Sequence, residues 1–220
     1  AGGGTIEVVH NNQNKTARGV TLHVGTAQPK TVGQSAGYAY QTIQSAIDAA
    51  VDGDLITVAP GVYEESPIVW KRVRVQGYGA PATIVNASTG ADYLRQQAWR
   101  EKVCDLVLNR GMGDALVGSQ TVPANMAACL TGDTVDNAPL LFATEEASGF
   151  FILQHGVTAA ANNRAFALAS RPALQIDGFT VTGADTGGGI VANGNAVQLQ
   201  ISNNRITGNQ YGNTLVGGGN

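Results

Sequence analysis

A ten-residue pattern occurs twice in the sequence, as LQIDGFTVTG at 174–183 and as LQISNNRITG at 199–208. The two copies align without a gap, from Leu174 on Leu199 to Gly183 on Gly208, and GGGIVANGN lies between them. Apolar runs of this length, each ended by Gly or Asn, predict about three short strands per repeat. Because one such unit cannot bury its inward face alone, neighbouring units must stack. The repeat therefore predicts the stacked coils of a parallel β-helix.

Two further details of the repeat agree with this interpretation. Leucine-rich repeats have a similar length, but their spaced leucines and helical half are missing from both copies. Asn203 and Asn204 fall where the second copy turns. Asn tolerates left-handed backbone conformations, and its amide can form hydrogen bonds between stacked coils. We therefore interpret Asn203 and Asn204 as structural turn residues.

Short strand-like runs also occur upstream of the repeat. They lie at 5–9, 19–25, 55–59, 68–70, 73–76 and 83–86. A polar stretch at 10–18 joins the first two, and a loop with Pro29 and Gly33 follows them. In RVRVQ at 72–76, apolar and polar side chains alternate, which is typical of a strand with one buried face.

The segment QTIQSAIDAAV at 41–51 has a different period. Its apolar residues recur with helical spacing on one face, at Ile43, Ala46, Ile47 and Ala50. Thr42 is the expected N-cap, and Gly53 is expected to end the helix. The small side chains on this face suit close packing against the flat end of a β stack.

Residues 87–148 interrupt the strand pattern, which resumes in GFFILQ at 149–154. The stretch 91–111 predicts a helix that Trp99 anchors to the rest of the chain. The apolar residues assigned to its packed face are Leu94, Ala98, Val103, Leu106 and Val107. We interpret 1–220 as a single β-helix domain with 87–148 inserted into it.

Cys104 and Cys129 both lie in this insertion, and neither has a His at metal-ligand spacing. One interpretation is a disulfide that ties the helix to the following loop and stabilises the fold by roughly 3 kcal/mol. The other is a pair of unrelated buried thiols. The low Lys content and the abundance of Asn, Gly, Thr and Ser favour the disulfide and a secreted, extracellular or periplasmic protein.

Composition excludes some classes of function. The formal charge is −3, from 13 basic and 16 acidic side chains, and no basic block is present, so nucleic acid is not an expected partner. No apolar run is long enough to form a helix that crosses a bilayer, so no membrane span is expected.

Two stretches, YQTIQSAIDAAVDGDLITVAPGVYEE at 40–65 and KRVRVQGYGAPATIVNA at 71–87, resemble a known family. They are similar to the N-terminal cap and first coils of the pectin-lyase-like right-handed parallel β-helix superfamily. IDGFTVTG and ISNNRITGN resemble its later coils. The resemblance covers 40–86 and 149–220 and leaves the insertion unmatched. It implies an all-β, right-handed parallel β-helix whose N-terminal helix caps the apolar core.

The same superfamily contains pectin methylesterases, polysaccharide lyases, alginate epimerases, periplasmic copper-site maturation proteins and large bacterial surface proteins, so the fold does not select a function. The Gly-Asp-Phe-Ile-Phe-Gly signature of the esterases and the Asp-Pro-His-Glu signature of the epimerases are absent. No complete catalytic set is recognisable. Whether the protein is an enzyme therefore stays open.

The coil residues with suitable chemistry for binding are Asp177, Asp185 and Arg205. The offset of the repeat puts Asp177 and Arg205 about three positions apart around the coil, so the two are not expected to converge as a catalytic pair. Asp185 lies in GADTGGG, which suits a turn, a calcium ligand or a sugar-contacting rim. No cofactor is evident, and no calcium-binding motif supports Ca²⁺. The three histidines are scattered, which predicts no metal site.

These observations favour a β-helix segment of a large secreted or surface-associated bacterial protein that acts as scaffold, adhesin or glycan-binding surface. The alternative is the N-terminal part of a carbohydrate-active enzyme, a lyase, esterase or epimerase on acidic polysaccharide. The expected partners are polysaccharide or a cell-surface glycan, and further coils from the same chain or another subunit. The repeat runs to the last residue, which predicts a domain that is incomplete at its C-terminus.

Overall fold

The computed structural model describes residues 7–10, 13–16, 28–88, 93–112, 124–131, 147–155, 174–184, 188–194, 196 and 198–210. The strands, in chain order, are β1 (Glu7–His10), β2 (Gln13–Thr16), β3 (Lys30–Val32), β4 (Leu55–Val58), β5 (Gly61–Tyr63), β6 (Ile68–Val69), β7 (Arg74–Gly77), β8 (Thr83–Asn86), β9 (Phe150–Leu153), β10 (Leu174–Asp177), β11 (Thr180–Thr182), β12 (Ile190–Asn193), β13 (Leu199–Ser202) and β14 (Arg205–Ile206). The helices are α1 (Ile43–Ala49), α2 (Tyr93–Asn109) and α3 (Met126–Thr131).

Most strands belong to parallel sheets to which each successive coil contributes one strand. The strand orders are β13-β10-β7-β4-β3, β14-β11-β8-β5 and β12-β9-β6. One coil therefore consists of β4, β5 and β6, the next of β7, β8 and β9, and a third of β10, β11 and β12. Strands β13 and β14 belong to a fourth. The chain thus has a mostly β, β-helix-like parallel fold, as the repeat predicts.

The register between the last two coils is the offset of the sequence repeat. Leu174 pairs with Leu199, and Asp177 pairs with Ser202. Thr180 pairs with Arg205 in the adjoining sheet. Side chains that point between the sheets are buried and form one continuous core, which includes Val75, Ile152, Ile176 and Val181.

The bend between β10 and β11 requires a left-handed backbone. Gly178 has φ +77°, and its counterpart one coil later, Asn203, has φ +56°. The previous bend is also tight, because a Cβ on Gly77 would lie 2.4 Å from the Gly178 carbonyl oxygen. Gly and Asn are the residues that tolerate these conditions most readily.

Helix α1 packs on one end of the stack, as expected of a capping helix. The Thr42 side chain accepts a hydrogen bond from the Ser45 backbone N–H, which confirms Thr42 as the N-cap. The apolar face of the helix is buried, at Ile43, Ala46 and Ile47. Its contacts are with β3, β4 and β6.

The end of α1 differs from the prediction. The helix ends at Ala49, with Ala50 as an extended C-cap, several residues before Gly53. The Lys71 ammonium donates to the backbone carbonyls of Asp48 and Ala50, and so satisfies acceptors that a C-terminal glycine motif would otherwise serve. A side chain from the adjoining coil therefore replaces the local stop signal.

Some strands lie where the sequence predicted none. Strand β2 lies in the polar stretch at 10–18 and pairs antiparallel with β1. Strand β3 lies in the predicted loop with Pro29 and Gly33, and β5 lies between the predicted strands at 55–59 and 68–70. Each is short, and β3 and β5 bury one side chain each, Val32 and Tyr63, so neither has a detectable alternation. The predicted strand at 19–25 lies outside the described residues.

Helices α2 and α3 lie between β8 and β9, within the predicted insertion. Trp99, Val103 and Leu106 form the buried face of α2, whereas Leu94 is 75% exposed and Ala98 is exposed. The face assigned from sequence was therefore wrong at Leu94 and Ala98. At about 3.6 residues per turn, Leu94 and Val103 lie on opposite sides of a helix.

A disulfide joins Cys104 of α2 to Cys129 of α3, with the sulfur atoms 2.07 Å apart. The predicted pairing is therefore present in the structure. Such bonds are typical of proteins outside the reducing cytosol, so the pair indicates a non-cytoplasmic protein.

Candidate binding site

Of the sequence-predicted binding residues, Asp177 and Arg205 lie in the described part of the chain. Asp177 is 1% exposed, and one oxygen of its carboxylate accepts hydrogen bonds from Ser202 Oγ and Asn203 Nδ2, both at 2.7 Å. The side chain of Arg205 is exposed, and its backbone N–H donates to the Phe179 carbonyl. Asp185 lies outside the described residues. The Asp177 carboxylate thus joins one coil to the next.

The turn asparagines also join coils. Asn204 Oδ1 accepts from the Phe179 backbone N–H at 2.8 Å, and Asn204 Nδ2 donates to the Ile176 carbonyl at 2.9 Å. Asn209 repeats this arrangement with Ala184 N–H and the Val181 carbonyl, at 3.1 and 2.9 Å. Asn209 was not predicted as a turn residue, although its position just after the repeated Thr-Gly pair was a usable signal.

A cleft of about 310 Å³ lies where the insertion meets the capped end of the stack. We call it the cap–insertion cleft. Four residues of α2 with helical spacing form one side of it, Arg95, Ala98, Trp99 and Lys102. The other side is formed by α1, the connection from β5 to β6, β6 itself and the end of the insertion, through Gln44, Glu64, Glu65, Ser66, Ile68 and Ala147. None of these residues was predicted as part of a site.

Charged contacts fix the insertion to the stack around this cleft. Lys102 Nζ lies 2.8 Å from Asp48 Oδ2 on α1. Arg95 lies 3.9 Å from the Glu64 carboxylate and also donates to the carbonyls of Ser88 and Asn86. Each partly exposed ion pair contributes about 0–1 kcal/mol. Their main effect is therefore to set the position of α2 over the coil.

Glu65 has an unusual environment in the cleft. Its two carboxylate oxygens accept hydrogen bonds from the backbone N–H groups of Ile43 and Gln44, at 2.9 and 3.1 Å. Burial raises the pKa of Glu65, and these bonds and the charge of Arg95 offset that increase only in part. The cleft thus contains a carboxyl group that holds its proton to higher pH than a free glutamate.

Two residues that line the cleft each have a polar atom that is shielded from solvent. Ser66 Oγ and Trp99 Nε1 are buried and have no hydrogen-bond partner. The indole of Trp99 packs edge-on against the Phe151 ring, with the centroids 5.4 Å apart, which confirms its role as an anchor. Buried polar atoms without partners are uncommon in folded proteins, and Ser148 Oγ and Asn193 Nδ2, which do not line the cleft, share this property.

Neither a metal centre nor a membrane span is found in the parts of the chain that the structure describes. No three His, Cys, Asp or Glu side chains lie close enough together there to bind a metal ion. No helix in those same ranges has the length and apolar character needed to cross a bilayer.

Comparison with known proteins finds a weak structural neighbour. No family model matches the chain, and no curated protein sequence matches it. The structure of Escherichia coli YbhC aligns with a TM-score of 0.40 at 17% sequence identity. The alignment covers 90% of this chain and 48% of YbhC, so the chain spans about half of the length of that protein.

Proposed function

We propose that this chain is a right-handed β-helix segment, of the pectin-lyase-like kind, in a secreted or surface-associated bacterial protein. Its role is that of a scaffold, adhesin or glycan-binding surface. The observation that supports this role is the use of polar side chains in the last two coils. Asp177, Asn204 and Asn209 all bond to the neighbouring coil. Carboxylates and amides that hold coils together are used for structure and are not available for catalysis.

The exposure of the last described coil supports further stacking. Ile201 and Ile206 are 46% and 52% exposed, whereas their partners one coil earlier, Ile176 and Val181, are buried. Inward-facing apolar positions of a β-helix become buried when another coil packs on them. Further coils, from the same chain or from another subunit, are therefore the proposed neighbours of this surface.

The proposed role is tested by measuring binding and turnover on the same preparation. The labelled full chain is applied to an array of bacterial and plant polysaccharides, and it is also incubated with a panel of uronate polymers. We expect saturable binding to at least one glycan and no rise in ultraviolet absorbance from unsaturated products. Turnover of any polymer would contradict a purely structural role. Binding to none of the glycans would contradict a glycan-binding surface.

One observation favours the alternative, the N-terminal part of a carbohydrate-active enzyme. Glu65 lies in a cleft with Arg95, and its raised pKa is a property of general acids. If the chain is an enzyme, Glu65→Gln should abolish turnover, whereas Glu64→Gln should retain it. We favour the structural role, because both oxygens of Glu65 already accept hydrogen bonds from the backbone of the capping helix.

A further inference from the structure

We propose that the uncovered end of the stack binds a second copy of this chain, so that two stacks join tail to tail about a two-fold axis. We call this surface the open end and define it by its edge strands, β13 and β14. A second copy is one of the two sources of further coils in the proposed function, on which this inference rests. The open end supports it through exposed apolar side chains, unprotected strand edges and low charge.

The backbone and the side chains of the open end together specify the partner. β13 and β14 are each the last strand of their sheet, and no strand among the described residues pairs with their outer edges. Ile201 and Ile206 expose apolar surface there, although the residues they pair with are buried. A partner must therefore offer backbone N–H and C=O groups in strand geometry together with inward-facing apolar side chains. The open end of a second copy offers both.

Two-fold symmetry matches this surface to itself. An axis perpendicular to the sheet and beside β13 pairs β13 antiparallel with its own copy. The same axis leaves inward-facing side chains on the inner side of both stacks. Ile201 of each copy is then covered by the inner side of the other edge strand. The buried apolar core thus continues from one copy into the next.

The open end lacks the features that normally keep strand edges apart. Natural edge strands are protected by Lys, by Pro, by inward-pointing charges or by a covering helix or loop. Residues 199–210 contain no Pro and no Lys, and Arg205 is their only charged residue. Two copies of this segment can therefore approach with little electrostatic repulsion.

The opposite end of the stack limits the association to two copies. Helix α1 packs there against β3, β4 and β6 and buries its apolar face. Head-to-tail stacking needs an open edge at both ends and continues into a filament. Because a helix covers one end, a symmetric contact between two open ends closes the assembly as a dimer.

Sedimentation of the full chain at increasing concentration tests the association. We expect a monomer–dimer equilibrium with a Kd of roughly 1–100 µM, as for other small interfaces. Ile201→Lys brings like charges of the two copies close together and should weaken the dimer at least tenfold. Val51→Lys is the matched control and should leave the Kd unchanged, because Val51 is 66% exposed and lies just after α1, at the covered end.

Spin labels test the geometry without changing the apolar core, and they remain informative if Ile201→Lys fails to fold. Gln200→Cys and Val51→Cys carry the label at exposed positions, in separate samples. The strand order β13-β10-β7-β4-β3 puts four strand spacings between the two ends. At about 4.8 Å per spacing, labels at position 51 of the two copies should be roughly 40 Å or more apart. Labels at position 200 should be within roughly 20 Å of each other, since antiparallel pairing brings them together.

The outcomes separate this inference from the proposed function. A chain that stays monomeric at every concentration overturns the dimer, and a mass that keeps growing overturns its two-fold closure. A short distance at position 51, or equal weakening by both Lys variants, places the contact elsewhere. Glycan binding by a monomeric chain supports the glycan-binding surface whatever the open end does. A dimer that binds no glycan on the array removes that surface and leaves the dimer.

Discussion

The last two coils and the junction around the cap–insertion cleft differ in whether their polar groups have hydrogen-bond partners. In the coils, the Asn204 amide bonds in register to backbone groups of the coil before it. At the junction, Ser66 and Trp99 retain buried polar atoms without partners. Repetition brings the same groups together in every coil, so one side-chain type can satisfy them. The junction occurs once, between elements of different geometry, and no such repetition satisfies its polar groups.

Strand β9 belongs to both regions. All four of its residues are buried, because one face lies in the stack and the other lies under the insertion. Phe150 packs in the coil core against Phe179, with ring centroids 5.2 Å apart. Phe151, the next residue, packs against Trp99 of α2. Adjacent side chains of the same type therefore report on the two regions separately.

The largest effect is expected from Phe150→Ala. Removing a ring from the coil core should lower the free energy of unfolding by about 3–5 kcal/mol and expose amides in all parallel sheets. Phe151→Ala should lower the free energy of unfolding by a smaller amount, because the cavity opens beneath the insertion. Its effect should concentrate in α2. Denaturant unfolding measures the free energies, and hydrogen exchange measures the local protection.

The comparison between the two regions would be wrong if both variants lost protection in the same amides. It would also be wrong if Phe151→Ala left α2 as well protected as in the wild type. Val62→Ala, at an exposed position of β5, controls for the effect of truncating a side chain on a strand.

An intermediate effect is expected from Asn204→Ala. The substitution leaves the Phe179 N–H and the Ile176 carbonyl without their partner, and both residues are buried. The free energy of unfolding should fall by about 1–3 kcal/mol. Gln200→Ala, on the exposed side of β13, should change it by no more than about 0.5 kcal/mol. If urea unfolding gave the same loss of free energy for both variants, it would contradict a structural role for Asn204.

The smallest effect concerns pH and the Glu65 carboxyl. Burial raises its pKa in the folded protein, so the folded state keeps a proton that the unfolded chain has already lost. This contribution to stability is present at pH values below the ordinary carboxyl pKa and is lost as pH rises through the raised one. Glu65→Gln should therefore flatten the fall in stability over that acidic range. Glu64→Gln, at a 57% exposed side chain, is the control and should retain it.

Unfolding curves recorded at several pH values measure this difference. A Glu65→Gln profile parallel to that of the wild type would show that Glu65 does not titrate in the expected sense. A steeper fall for the variant would contradict the direction of the pKa shift itself.

The repeat and the capping helix were predictable because each is a local pattern. The constant offset between the two copies predicted the pairing of Asp177 with Ser202, and helical spacing predicted the buried face of α1. Strands β3 and β5 were not predicted, because they are short and owe their conformation to pairing with neighbouring coils. The end of α1 was misplaced for a similar reason, since Lys71 of the adjoining coil satisfies its last carbonyl groups.

By itself, the sequence determined the parallel stacking of coils and the register of the last two, and it favoured a disulfide between Cys104 and Cys129 over a pair of unrelated thiols. The stacking and the register follow from periodicity, whereas the disulfide was favoured by a composition typical of secreted proteins. Only the tertiary structure decided the location of the cleft and the roles of the charged residues around it. The cleft arises where α2 packs beside the connection from β5 to β6, and the residues that meet there are distant in sequence. Whether a polar side chain is satisfied depends on such neighbours, and no local pattern records them.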